Sequence, residues 1–265
     1  MTPSLSEDDV ARHWDANADQ WADHVRRGWD VFRDHLNNPA FFEMVGDVRG
    51  KTLLDAGCGE GYNTRLLARA GARVTGIDLS LRMIELAREE EKRGPLDIRY
   101  EVASFSDLSL FGDAAFDAVI STMALMDGPD LEGALREFQR VLPPGGDLFF
   151  SITHPCFMTR GYNWLRDNEG NKARLLVSDY FDDEPWLERW QFERAPEGTA
   201  PFAIPVFPRT ISDYVNSLVA AGFILREIRE PRPSEAACDE HPWLRPWRDH
   251  AALFLHFHAV KPAET

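Results

Sequence analysis

The sequence predicts an α/β fold: a doubly wound, largely parallel sheet with a helical arm before it and an inserted cap after its fifth strand. Three observations carry this. Between Lys51 and Ile152, short apolar runs alternate with stretches of helical spacing, as right-handed βαβ units require. A glycine-rich turn, Gly57 to Gly61, follows the first apolar run and opens a helix. After residue 154 the alternation stops, and an aromatic and proline-rich stretch runs to residue 208.

The elements follow in order. Val10, Trp14, Ala18, Trp21 and Val25 share one helical face, with Ser6 as its N-cap. A short helix from Trp29 to Leu36 should be broken by Asn37, Asn38 and Pro39. Strands are expected at Thr52–Ala56, Arg73–Ile77, Ile98–Val102, Phe116–Ser121 and Asp147–Ile152. Helices are expected at Asn63–Ala70, at Ser80–Lys92, and along the stripe Leu131, Ala134, Leu135, Phe138 and Val141. Antiparallel strands at Ala173–Phe181 and Trp186–Glu193 would build the cap. Ile211, Tyr214, Val215, Leu218 and Val219 restore helical spacing, and Phe223–Ile228 and Ala252–Ala259 are late strands. The chain thus reads as one domain over 1–265: an arm (1–50), a cofactor-binding core (51–154), a cap (155–208) and a segment completing the sheet (209–265).

Length and composition bound the function. A chain of 265 residues is long for one domain and short for two. With 29 basic and 44 acidic residues, its net charge of −15 repels polyanions, which argues against nucleic acid or an anionic membrane surface as partner. The apolar runs are too short to span a bilayer, and Met1 to Val10 is too acidic for a secretory signal. Cys58, Cys156 and Cys238 are far apart and odd in number, which fits free thiols in a reducing cytoplasm. Oligomeric state is not legible.

The most informative segment is Leu53-Leu54-Asp55-Ala56-Gly57-Cys58-Gly59-Glu60-Gly61. Its glycines let backbone approach a ligand closely. Asp78, at the end of the next strand, can accept both hydroxyls of a ribose. A dinucleotide fingerprint would be G-x-G-x-x-G, but here the glycines run G-x-G-x-G and Tyr62 stands at the third position. Asp55 would repel a pyrophosphate and suits a cationic ligand such as S-adenosylmethionine (SAM), which carries an ammonium and a sulfonium.

Leu53 to Gly61, Asp78, Phe116 to Ser121 and Arg140-Val141-Leu142-Pro143-Pro144-Gly145-Gly146 together resemble the successive motifs of the class I SAM-dependent methyltransferases. The likeness is to the broad small-molecule group that includes ubiquinone-biosynthesis-like enzymes. It covers Lys51 to Ile152 and resumes from Arg209 to Phe223. It implies a Rossmann-like, seven-stranded sheet with one antiparallel strand, SAM as methyl donor, S-adenosylhomocysteine as product, and a small-molecule acceptor. Carried over, Asp55, Gly57, Cys58 and Gly59 border the methionine part of the donor. Asp78 holds its ribose, Leu79 and Met83 line the adenine, and Met123 touches the cofactor. Ser104 stands where members commonly carry an Asp at the adenine edge, with the Phe105 backbone N–H beside it. Trp14, Trp21 and Arg33 belong to an arm that closes over the donor, Arg33 meeting its carboxylate.

His154 follows the fifth strand by two residues, where a methyl acceptor would sit, and is the candidate general base. The alternative is a histidine that hydrogen-bonds the loop backbone. Asp127 stands near the mouth of the site but reads more strongly as a helix cap, and Arg209, which could meet an anionic acceptor, reads more strongly as a surface charge. Cys58 and Cys156 lack a neighbouring base and read as packing residues. His256 and His258 alternate on the last strand with no third ligand, so no metal site is assigned. The cap's aromatics would form its own core and, in part, a dry acceptor wall. Two other readings remain: a nicotinamide-dependent oxidoreductase on a Rossmann core, and a SAM-binding module without catalysis.

Overall fold

A computed structural model describes residues 5–263; the first four and last two residues of the expected 1–265 span lie outside the described residues. A seven-stranded sheet forms its centre. Its strands are β1 (Thr52–Ala56), β2 (Arg73–Asp78), β3 (Arg99–Val102), β4 (Ala118–Thr122), β5 (Asp147–Thr153), and late in the chain β10 (Ile224–Arg229) and β11 (Phe254–Val260). Their order is β10-β11-β5-β4-β1-β2-β3. β11 runs antiparallel to both neighbours, and the other pairings are parallel. The chain winds outward from β1 to β3, then crosses back to lay β4 on the other side of β1. That reversal opens a crevice at the carboxyl ends of β1 and β4, where doubly wound sheets bind ligands.

The sheet is buried on both faces, so its central strands are apolar without alternation. One face packs Leu54, Val119, Phe150 and Phe257 against Phe138 of helix α5 (Leu131–Val141) and Leu218 of α6 (Ile211–Ala220). The other packs Leu53, Val74, Ile120 and Phe149 against Phe41 and Leu67. Helices α3 (Tyr62–Arg69) and α4 (Leu81–Arg93) complete the first half, and α1 (Glu7–Arg26) is the arm. Ser6 caps α1 in a reciprocal capping box with Asp9.

Three expectations are corrected. The helix expected to stop at Asn37–Pro39 continues as α2 (Asn38–Val45) after a π-helical turn, Arg33–Asn37. Pro39 sits in the first turn of α2, where its missing N–H goes unneeded, and the wide π-turn closes with the Asn38 N–H on the Arg33 carbonyl. The cap holds two separate hairpins, not strands at 173–181 and 186–193 alone. β6 (Asn163–Arg166) pairs with β7 (Lys172–Leu176), and β8 (Trp186–Trp190) pairs with β9 (Phe202–Val206). β6 is too short to show a pattern, and Pro205 disguises β9, tolerable there because a two-stranded ribbon has only edges. Finally, α7 (Glu235–Glu240) and α8 (Arg245–Asp249) lie between β10 and β11. Each is too short for a periodic signal.

Candidate functional site

One cavity of about 440 Å³ opens over the carboxyl ends of β1, β2 and β4. Its floor is the glycine turn. The N–H groups of Gly57 and Cys58 both donate to the Ile77 carbonyl, at 2.9 and 2.8 Å, which pins the turn to β2. Gly57 has φ +80°, and a Cβ there would collide with the Cβ of Ala124. Gly59, at φ +56°, has open space where its Cβ would be, so bare backbone faces the cavity. Asp78 accepts from the N–H of Gly59 at 2.8 Å and of Ser80 at 2.9 Å. One carboxylate therefore fixes the turn and the start of α4 and still lines the cavity.

The floor is acidic and dry. Asp55 is buried and accepts from the Thr64 hydroxyl at 2.6 Å. Burial pushes its carboxyl up to about 7, and that of Asp78 up to about 6 despite the backbone N–H groups. Both would ionise more readily beside a cation. Burial, together with Asp78, Asp55 and Glu60, pushes the Cys58 thiol well up, so the thiol is no nucleophile.

The remaining expected residues divide. Leu79, Met83, Ser104, Phe105 and Met123 all line the cavity. Met123 adopts φ +57°, unusual for a non-glycine residue. Trp14 and Trp21 line it too and meet edge to face at 5.3 Å. Trp21 also packs on Trp190, Phe192 and Phe202 of the cap, so it serves both core and cavity. Arg33 stands on the π-turn with its guanidinium 3.7 Å from the Tyr62 ring centre. Its Nε donates to Asp34 at 2.8 Å, while Nη2 is buried without a partner. A buried guanidinium nitrogen left open is suited to an anionic ligand group.

His154 is corrected. It is 2% exposed and does not line the cavity. Its Nδ1 accepts from the Cys156 N–H at 3.2 Å, so the proton resides on Nε2, which donates to Glu230 at 2.9 Å. Burial lowers its pKa against the pull of Glu230. Both nitrogens are occupied, and the ring orders the loop that leaves β5. His256 and His258 are likewise engaged separately, with Asn37 and Asp147 at 2.8 Å each. Among the described residues no three His, Cys, Asp or Glu side chains converge as a metal would need.

Four residues of interest were missed or misread. Glu7, in the first turn of α1, lines the cavity and accepts from the hydroxyls of Ser104 and Ser106 at 2.8 and 2.5 Å. It brings a carboxylate to the position where Ser104 lacks one. Asp127 does not cap α5, because Asp130 does, accepting from the Gly133 N–H at 2.7 Å. Instead Asp127 is 5% exposed, lines the cavity, and leaves Oδ1 without a partner. Arg209 is not a surface charge: it donates to the carbonyls of Leu125, Gly128 and Pro129 and so holds the turn that carries Asp127. Glu188, in β8, lines the cavity from the cap. Its signal was present in the sequence as a lone acid in Trp186-Leu187-Glu188-Arg189-Trp190, where alternation puts it on the same face as two tryptophans.

Residues 54–150 match a family model described as a methyltransferase domain. Over 140 residues the chain is 35% identical to a ubiquinone biosynthesis O-methyltransferase of Xanthomonas oryzae pv. oryzae, covering 50% of this chain and 59% of that protein. It is 40% identical to a demethylmenaquinone methyltransferase of Tropheryma whipplei, covering 52% and 57%. The match thus spans little more than half the length of these curated relatives. A crystal structure of a SAM-dependent methyltransferase from Mesorhizobium loti superposes with a TM-score of 0.68 at 29% identity, covering 84% of this chain and 96% of that one.

Proposed function

We propose, from the match of residues 54–150 to a methyltransferase domain, that the chain is a class I SAM-dependent enzyme that transfers a methyl group from SAM to a small-molecule acceptor. One observation carries the reading. A single cavity joins the glycine turn and Asp78 to a second region walled by the cap, so there is a place for a donor and for an acceptor beside it. A binding module would need only the first.

The donor supplies an electrophilic methyl group on a sulfonium. This chain's residues bind and orient it. Asp78 takes the ribose hydroxyls, the bare backbone at Gly59 lies under the methionine part, and the open Nη2 of Arg33 takes its carboxylate. Asp55 and Cys58 border the same part, and Asp55 ionises as the cationic donor arrives. Leu79, Met83 and Phe105 enclose the adenine, whose amino edge falls to the Ser104–Glu7 pair. Met123 and the tryptophans Trp14 and Trp21 keep water from the reacting centre. No histidine base is invoked, and alignment in a dry site supplies much of the rate. The division into arm (1–50), core (51–154), cap (155–208) and closing segment (209–265) describes these roles: the core holds the donor, and the cap selects the acceptor. The net charge of −15 supports an acceptor other than nucleic acid, and three separate free cysteines support a cytoplasmic setting.

Isothermal calorimetry tests the donor site. S-adenosylhomocysteine should bind and raise the melting temperature, while NAD should do neither. Equal binding of NAD would remove the assignment. Mass spectrometry of molecules that copurify with the protein would identify the acceptor.

A further inference from the structure

Asp127 and Glu188 both line the cavity, and neither is paired with a cationic side chain among the described residues. Asp127 is fixed by the Arg209 clamp on its turn; the Trp14 indole and the Arg209 charge ease its burial only in part, it has no ion-pair partner among the described residues, and its buried Oδ1 has no hydrogen-bond partner. Glu188 likewise enters no hydrogen bond or ion pair among the described residues, although it sits on the inner face of β8 between Trp186 and Trp190. Neither Arg33 nor Lys172, the cations that line the cavity, pairs with either acid among the described residues. Arg33 is held by Asp30 and Asp34, and Lys172 stands 5.7 Å from the Trp164 ring centre. Burying an acid without an ion-pair partner costs about several kcal/mol, and that cost falls chiefly on Asp127, since Glu188 is half-buried. The two also repel each other: burial raises both pKa values, and Glu188 adds to the rise at Asp127. The surrounding wall is aromatic. Seven of the eight tryptophans line this cavity, and indole faces attract cations.

We propose that the methyl acceptor carries a protonated amine, and that Asp127 and Glu188 hold its ammonium against the tryptophan wall. This rests on the methyltransferase reading and names its substrate class. An ammonium gives each acid the donor it lacks, while the indoles take up the rest of its charge. A neutral hydroxyl could satisfy one acid and would leave the other unanswered. A carboxylate ligand would add a third negative charge.

The test compares three matched sets of probes: benzylamine, phenethylamine and tryptamine, each against its alcohol and its carboxylic acid counterpart. Binding is measured by calorimetry with S-adenosylhomocysteine already saturating. The first step separates the two claims. If S-adenosylhomocysteine itself does not bind, the methyltransferase reading fails, whatever the amines do. If it binds, at least one amine should bind about tenfold or more tighter than its alcohol, the margin expected of a charge-assisted contact. Asp127→Asn combined with Glu188→Gln should reduce that preference to less than about threefold. Both replacements are nearly isosteric, and retained S-adenosylhomocysteine binding shows that the variant is folded. If this pair does not fold, each single variant should still cut the preference by about threefold or more. The proposal is overturned if no amine binds tighter than its alcohol, if a carboxylic acid binds best, or if the variants keep the full preference.

Discussion

The floor of the cavity and its roof are built on opposite principles. On the floor, the glycine turn and its two aspartates are hydrogen-bonded within the protein before any ligand arrives, and Arg33 Nη2 is left open beside them. Gly57 and Cys58 donate to Ile77, Gly59 and Ser80 donate to Asp78, and Thr64 donates to Asp55. On the roof, Asp127 and Glu188 have no ion-pair partner among the described residues, and the cap's other contributions to the lining are mostly apolar side chains such as Trp164, Trp190, Phe192 and Ile204. A site that always takes the same donor can be preorganised in backbone. A site that must recognise one acceptor keeps its polar groups free for it and relies on apolar packing for its shape.

Four measurements would break or sharpen that contrast. The largest effect should come from the roof. Phe202 is 1% exposed and joins the cap to Trp21 and Val25 of α1, so Phe202→Ala should cost about 3–5 kcal/mol in urea unfolding. A loss under about 1 kcal/mol would mean that cap and arm are not one packed unit. On the floor, Asp78→Ala should weaken S-adenosylhomocysteine binding by about 1.5–3 kcal/mol in calorimetry. Unchanged affinity would take Asp78 out of the ribose role.

His154 belongs to neither region, and its removal should show that. His154→Ala leaves the Cys156 N–H unpaired and should cost about 1–2 kcal/mol of stability while retaining more than about a tenth of turnover. Its pH dependence has a definite sign. Its folded pKa lies below the ordinary 6.5, so the unfolded chain binds the extra proton first. Stability is full above 6.5 and falls as the pH drops toward the folded value. The Ala variant should lose that part of the acid slope, and an identical slope would deny the buried neutral state. The smallest effect is expected from Glu7→Gln, about 0.5–1.5 kcal/mol in S-adenosylhomocysteine affinity. No change there would leave the adenine edge to Ser104 alone.

The same contrast explains what could be read from the chain. The floor is local: Leu53 to Gly61 and Asp78 lie on consecutive elements, so glycine spacing and one acid reveal it. The parallel core was legible for a similar reason, because strands buried on both faces form apolar runs such as Leu148 to Ile152. The roof is assembled from distant stretches. Asp127 and Glu188 come from a turn and a hairpin that no local pattern connects, and the part of the donor side that was missed, Glu7 on Ser104, is likewise bridged across 97 residues. His154 was misread because position after a strand end does not say which way a ring turns. Here the backbone of Cys156 and the side chain of Glu230 turned it away. Pro39 misled because a proline in the first turn of a helix looks, in sequence, like one that ends it.

Helix α1 forms one side of the cavity and is tied to the floor by acids: Glu7 to Ser104 and Ser106, Asp15 to the Ser80 hydroxyl at 2.6 Å, and Asp19 to Arg82 at 2.8 Å. Where escape of a molecule held beneath it requires α1 to move, those ties must let go first. Dwell time is then set by the helix as much as by the contacts the molecule itself makes. The Asp19–Arg82 pair lies at the surface, where salt screens it. Raising ionic strength should therefore hasten escape and entry alike, leaving the ratio between them, the equilibrium affinity, far less altered than either rate.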